Sequence, residues 1–233
     1  MSKAALIKIR GLTGLFIFPI LGLIYEYLNE KSANAVNISS PLDSYIPFAP
    51  IFIIPYVIWY VYMFGFLLYF WWKNPSVYWK SILAITAGEI VCFIIYFYFQ
   101  TTVPRPQLMG DSFLVQLVSL IYSSDQPYNC FPSIHVLTTM IIMLSVNRIE
   151  DSGKMMNYVT QVTGILIILS TLFVKQHVIY DVLSSVILSA GLWMILFERK
   201  AVAAKLENIK NTRKKAAYQK GFPSDKPFFY VFS

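Results

Sequence analysis

The chain has 233 residues, of which 57% are hydrophobic, 17% aromatic and only 13% charged. Soluble domains carry roughly 25% charged residues, so this chain cannot cover a water-facing globule, and its wealth of aromatic and aliphatic residues excludes disorder. A formal net charge of +7 beside long apolar runs points to an integral membrane protein with basic cytoplasmic ends, and not to a nucleic-acid binder.

A helix crossing the bilayer needs about 20 mostly apolar residues, roughly 17–25, and six segments meet or approach that length. The first, Leu12–Leu28, follows Lys3, Lys8 and Arg10. With Ala33-Asn34-Ala35 downstream it also fits a cleavable leader, but the polar stretch Glu26–Ser32 is a poor approach to a cleavage site, and a retained span is expected. The second, Pro50–Trp72, holds Tyr56, Trp59, Tyr60, Tyr69, Trp71 and Trp72, which read as lipid-facing or interfacial-belt aromatics. The third, Ser81–Gln100, has Glu89 near its middle, where an ionised carboxylate is expensive. That residue is either protonated or paired within the bundle, or it supports a site from behind.

Residues 101–131 are mixed, and within them Phe113–Tyr122 is apolar but too short to span, so it is expected to lie as an interfacial or re-entrant helix. Then follow Pro132–Asn147, Asn157–Val174 and Asp181–Phe197, the first and last of these short enough to need an extra turn from their flanks. Residues 198–233 form a basic tail, solvated in the cytoplasm or drawn to anionic lipid. Cys92 and Cys130 fall at different depths and are expected as free thiols. The expected fold is all-α: a single membrane domain, residues 1–197, of six transmembrane helices with a short interfacial helix in the 101–131 loop.

Lysine and arginine set the orientation. Sixteen of the 19 basic residues lie in 1–11, 73–80, 148–156 and 198–233, leaving Lys31, Arg105 and Lys175 in the intervening connections. By the positive-inside rule both termini are cytoplasmic, and Arg105 and Lys175 stand on the outer face. The remaining polar groups gather on that same face. Thr101-Thr102-Val103-Pro104-Arg105-Pro106 follows the third span. Asn129-Cys130-Phe131-Pro132-Ser133-Ile134-His135 opens the fourth. Lys175-Gln176-His177 ends the fifth, and Asp181 begins the sixth. The protein's only two histidines are both here.

The residue types suit phosphoryl transfer. His177 and Asp181 are one helical turn apart, so the carboxylate can hold one imidazole nitrogen and leave the other as a nucleophile. His135 can protonate a leaving oxygen. Arg105 offers a planar fork of donors for phosphate oxygens, Lys175 a point charge and Ser133 a hydroxyl, while the free amides at the start of the fourth span form an anion site. Such a set needs no metal or cofactor. Each part also has an ordinary reading, an interfacial histidine, a surface pair or a stiff turn with a snorkelling arginine. Their convergence on one face is what favours chemistry.

At these residues the sequence resembles the type 2 phosphatidic acid phosphatase superfamily of membrane lipid phosphatases and phosphotransferases. Its pattern is Lys-x6-Arg-Pro, Pro-Ser-Gly-His, then Ser-Arg-x5-His-x3-Asp. Here stand Arg105-Pro106, Pro132-Ser133-Ile134-His135, and Ser170 followed at the same spacing by His177 and Asp181, over roughly residues 50–197. The family lysine falls at Tyr98, the glycine at Ile134 and the third-motif arginine at Thr171. Lys175 can compensate for one lost cation, and Tyr98, Thr171 and Gln176 are candidates to support the site from behind. These departures resemble the branch of inositol phosphotransferase-like and sphingolipid synthase-like members.

The resemblance implies that His177 forms a phosphohistidine, Asp181 orients it, and His135 protonates the leaving group and then activates the acceptor. Water as acceptor makes a lipid phosphatase, and an alcohol makes a phosphotransferase. The partners are then a membrane lipid substrate and the bilayer, in the plasma (cytoplasmic) membrane of a bacterium with the site facing outward. The reading of another class is a transporter or scaffold. The absence of repeat symmetry argues against the first, and the intact His135, His177 and Asp181 against the second.

Overall fold

Apolar runs that keep proline out of helix interiors become helix, because only an internally bonded backbone is tolerated in lipid. A computed structural model describes residues 11–29, 34–150 and 152–198, and among them the chain forms seven α-helices. They are α1 (Ile17–Leu28), α2 (Ile53–Lys73), α3 (Pro75–Tyr98), α4 (Phe113–Ser124), α5 (Ile134–Val146), α6 (Gly153–Phe173) and α7 (Ile179–Phe197). Single 3-10 turns at Leu12–Phe16 and Pro50–Phe52 lead into α1 and α2, and another lies at Pro41–Tyr45. The basic ends 1–10 and 199–233, the possible leader's charges and Lys31 lie outside the described residues.

Four segments are long and apolar enough to cross a membrane: Pro50–Lys73, Pro75–Tyr98, Gly153–Phe173 and Ile179–Phe197. The protein is therefore a helical membrane protein. Three helices start earlier than expected, the fifth span at Gly153 in place of Asn157. The third span begins at Pro75 and not Ser81, because Asn74 accepts hydrogen bonds from the amides of Ser76 and Val77 and Pro75 takes the first helical position. The sixth begins at Ile179.

The other two expected spans are shorter helices, Leu12–Leu28 and Ile134–Val146. With 13 residues, α5 is about 20 Å long at 1.5 Å per residue, against a hydrocarbon core of about 30 Å. Its surroundings explain this. Val136, Leu137, Ile141, Ile142 and Val146 are fully buried, and α5 packs against α2, α3 and α6. A helix walled in by protein need not match the thickness of lipid.

α3 and α5 approach closely at Gly88, where a Cβ would lie 2.7 Å from Leu137 Cδ1 and 3.1 Å from Leu192 Cδ1. Leu137 is buried and has nowhere to turn. Gly88→Val is expected to lower the melting temperature in detergent, at a cost of about 1–3 kcal/mol from overpacking; an unchanged melting temperature would refute the close approach. Along α7 the buried positions are Asp181, Ser185 and Ser189, four residues apart on one face. Small residues there let the backbone come close, and Ser185 Oγ donates to Ser133 O at 2.9 Å.

At one end of the helices the connections are knitted together. β1 (Val36–Asn37) pairs in parallel with β2 (Thr101–Thr102), Val36 opposite Thr101. Asn129 N donates to Thr101 O at 3.0 Å, and Ala49 N to Phe173 O at 3.0 Å. Asn129 Nδ2 donates to Leu28 O at 2.5 Å, and Tyr122 Oη to Val174 O at 2.6 Å. The three connections that charge places on a common side thus meet in space. These features belong to the compact unit Met1–Trp193. The unit Met194–Ser233 is described only over the last residues of α7 and Glu198, whose amide bonds Met194 O.

Candidate active site

Between α6 and α7 the backbone turns sharply. Lys175 has φ +55°, the left-handed conformation that commonly terminates a helix and that non-glycine residues seldom adopt. The amides of Gln176 and His177 both donate to Thr171 O, at 3.0 and 3.1 Å, which projects His177 ahead of α7. Asp181 sits in the first turn of α7. His177 Nδ1 lies 3.2 Å from Asp181 Oδ2 and 3.1 Å from Cys130 O. A backbone carbonyl can only accept, so Nδ1 carries the proton, and the lone pair of the neutral ring resides on Nε2. Asp181 Oδ2 also accepts from Val178 N at 2.9 Å, which ties the carboxylate to the turn it orients.

His135 lies in the first turn of α5, stacked on Tyr56 at a ring-centroid distance of 4.7 Å and against Trp59 at 4.2 Å. Its ring centroid is 6.0 Å from that of His177, close enough for both rings to act on one small tetrahedral group. Trp59 Nε1 donates to Thr138 Oγ1 at 2.8 Å, locking the aromatic wall to α5.

Two cavities meet at His177. One of about 700 Å³ is lined by both histidines, by apolar groups such as Phe18, Met63 and Phe64, and by Asp125 and Glu89. The other, of about 400 Å³, is lined by Arg105, Lys175 and His177 with Ser39, Ser40 and Ser44. Both cations are also engaged with protein. Arg105 Nη1 donates to Tyr122 O at 3.0 Å and Nη2 to Asp125 O at 2.7 Å and to Gln176 Oε1. Its guanidinium stacks 4.3 Å over the Tyr122 ring. It thereby satisfies carbonyls at the C-terminal end of α4, where positive charge is favoured. Lys175 Nζ donates to Asp43 O at 3.2 Å and to Ile46 O, leaving one of its three donors free. Burial lowers the lysine's pKa and the Asp43 charge opposes the shift.

The other expected residues divide. Gln176 is buried and braces Arg105, and Thr171 supplies the carbonyl under His177. Ser133 is fully buried and its Oγ accepts from Val136 N at 3.3 Å as the N-cap of α5, so its hydroxyl holds the helix that carries His135 and does not face a cavity. Tyr98 stands 81% exposed at the end of α3, away from the group. Two residues earlier, Tyr96 is buried and donates to Pro132 O at 2.5 Å. Tyr56 and Trp59 are not lipid-facing but buried. With Met63 they share one helix face, and that face lines the larger cavity. Glu89 is buried on the wall of the larger cavity.

Asp125, an outer-loop residue in the sequence, is held by Tyr25 Oη at 2.7 Å and Asn29 Nδ2 at 2.9 Å. Burial raises its pKa, opposed by the Tyr25 hydrogen bond and the Arg105 charge. Both cysteines are free thiols. Among the described residues Cys130, His177 and Asp181 place one metal-ligand atom each within 4.8 Å of one another. Burial pushes the Cys130 thiol pKa up, which disfavours the thiolate a metal requires, and the bond between Nδ1 and Asp181 already occupies that edge of the imidazole.

The sequence model of the PAP2 superfamily matches residues 77–202, more than half of the chain. No curated protein and no solved structure matches. The matched stretch contains Arg105, the Pro132–His135 segment, His177 and Asp181, which the fold has brought to one end of the helices from four separate places in the chain. On this match the chain belongs to the PAP2 superfamily.

Proposed function

We propose that the protein removes the phosphate of a membrane lipid, a phospholipid or a polyprenyl (di)phosphate, through a phosphohistidine on His177. Membership of the PAP2 superfamily supports phosphatase- or phosphotransferase-type lipid chemistry. One observation carries the finer reading. His177 Nδ1 is held between two acceptors, Asp181 Oδ2 and Cys130 O, which leaves the Nε2 lone pair free beside His135.

In the first step the Nε2 lone pair attacks phosphorus, the bond from phosphorus to the alcohol oxygen breaks, and protonated His135 gives its proton to that oxygen. Asp181 stabilises the positive charge on the substituted imidazole. In the second step His135 takes a proton from water, the hydroxide attacks phosphorus, the P–N bond breaks, and its electrons return to His177. Arg105 and Lys175, across His177 from His135, draw on the charge of the phosphoryl oxygens. Six helices, including the short α1 and α5, cross the membrane with both termini cytoplasmic, and the site faces outward. The 16 basic residues of the inner segments support that orientation.

Transfer to an alcohol is the second reading. The larger cavity favours it, since beyond the histidines its charged lining residues are Glu26, Glu89 and Asp125, acids suited to hydroxyl donors and hostile to a second phosphate.

Purified protein in detergent is expected to release inorganic phosphate from dioctanoyl phosphatidic acid with EDTA present. Activity that vanishes with EDTA and returns with a divalent ion would overturn the metal-free mechanism. Labelled lipid offered with glycerol or another polyol separates the two readings by product.

A further inference from the structure

From within α7 only Asp181 reaches back to the start of the helix, taking the amide of Val178. The N-cap position is Val178, whose side chain cannot accept a hydrogen bond, and the first amides of a helix need acceptors from elsewhere. The acceptor for Ile179 N is Asp43 Oδ1 at 2.8 Å, from 136 residues earlier in the chain. The other oxygen of that carboxylate is fixed inside its own 3-10 turn: Oδ2 accepts from Ser40 N at 2.7 Å and Ser40 Oγ at 2.8 Å. The same turn receives Lys175, whose ammonium donates to Asp43 O and Ile46 O. A third link, from Ala49 N to Phe173 O at 3.0 Å, fastens the segment to the last residue of α6.

The two sides are thus reciprocally paired. A cation from the His177 turn enters the carbonyls of the 40–46 segment, and an anion from that segment caps the helix that carries Asp181 in its first turn. Between Lys175 and Ile179 stands His177. A carboxylate is also the group that a helix N-terminus favours electrostatically. Residue 43 precedes the stretch matched by the PAP2 superfamily, 77–202, so this support is an addition by the N-terminal part of the chain. The left-handed backbone at Lys175 has a cost, and the anchored side chain helps to hold it.

We propose that Asp43 is a positioning residue for the His177–Asp181 pair, docking the 40–46 turn onto the α6–α7 connection and fixing the start of α7. The consequence for turnover rests on the phosphohistidine reading above, whereas the docking itself does not. A small displacement of a nucleophile costs up to roughly 10²-fold in rate.

The test combines amide hydrogen exchange with kinetics on the full chain in detergent. Asp43→Ala is expected to raise exchange over residues 177–182 roughly tenfold and leave α2 unchanged. It should lower kcat on dioctanoyl phosphatidic acid by roughly 10²-fold, with KM changed less than about threefold. Asp43→Asn keeps an acceptor for Ile179 N and should recover most of the kcat and the protection. Ser40→Ala is the milder second variant, removing only the hydroxyl bond to Oδ2, and should lose activity and protection in the same direction. Wild-type exchange in Asp43→Ala, or in Ser40→Ala should the first not accumulate as folded protein, overturns the docking. Altered exchange with wild-type kcat overturns the positioning role. A wild-type protein inert toward the lipid phosphate would defeat the enzymatic reading, and the exchange result would still decide the docking.

Discussion

On the proposed mechanism, His177→Ala is expected to abolish phosphate release from dioctanoyl phosphatidic acid, a fall of about 10⁴-fold or more, because it removes the nucleophile of a concerted set. Water does not take over, because the Asp181 carboxylate and the Cys130 carbonyl face the missing Nδ1 and no base stands where Nε2 was. The protein remains folded, since the ring is partly exposed and its hydrogen bonds join neighbouring segments that other bonds also hold. An alkaline, denaturing quench of wild type during turnover is expected to trap radioactive phosphate in an acid-labile, base-stable bond, and the variant to trap none. Full activity in the variant would remove His177 from the mechanism.

The second large effect distinguishes the two histidines. His135→Ala is expected to slow release from an alkyl ester by about 10²–10⁴-fold, the usual contribution of a positioned acid. With p-nitrophenyl phosphate the loss is far smaller in the first step, because that leaving group departs without a proton. His177→Ala is equally dead on both substrates. Equal losses on both esters in His135→Ala would deny it the acid's role. Its stacking between Tyr56 and Trp59 makes packing a competing explanation, and the leaving-group comparison is insensitive to packing.

His135, His177 and Asp181 were legible in the sequence because titratable side chains are scarce in so apolar a chain, and topology by charge gathered them on one side before any coordinates. Tyr56 and Trp59 were not. An aromatic that faces lipid and one that walls a site have the same composition, and only packing against α5 separates them. Tyr98 occupies the position of the family lysine, yet two residues of helix rotate a side chain by about 200° at 3.6 residues per turn, and Tyr96 is the one that turns inward. Ser133 was expected as a hydroxyl for phosphate, and its Oγ instead accepts from Val136 N. Buried at the first turn of α5, it is the cap. The Cys130 carbonyl, which settles the tautomer of His177, is backbone and leaves no mark in any sequence. The helix lengths were less legible than their existence: Asn74-Pro75 set an early start for α3, and burial of α5 freed it from the thickness of the bilayer.

The position of His177 between two spaces, one of which holds Arg105 and Lys175, has a consequence for traffic. On the proposed path, the attacking water must reach phosphorus from the side the alcohol has just vacated, so the two cannot be present together and turnover is strictly ping-pong. The products need not share an exit. A lipid alcohol keeps its chain among Phe18, Met63 and Phe64 in the larger space and returns to the apolar phase. On the same path the phosphate dianion would leave past Arg105 and Lys175. One imidazole would then part its products, the phosphate toward the cations and the alcohol into the larger space.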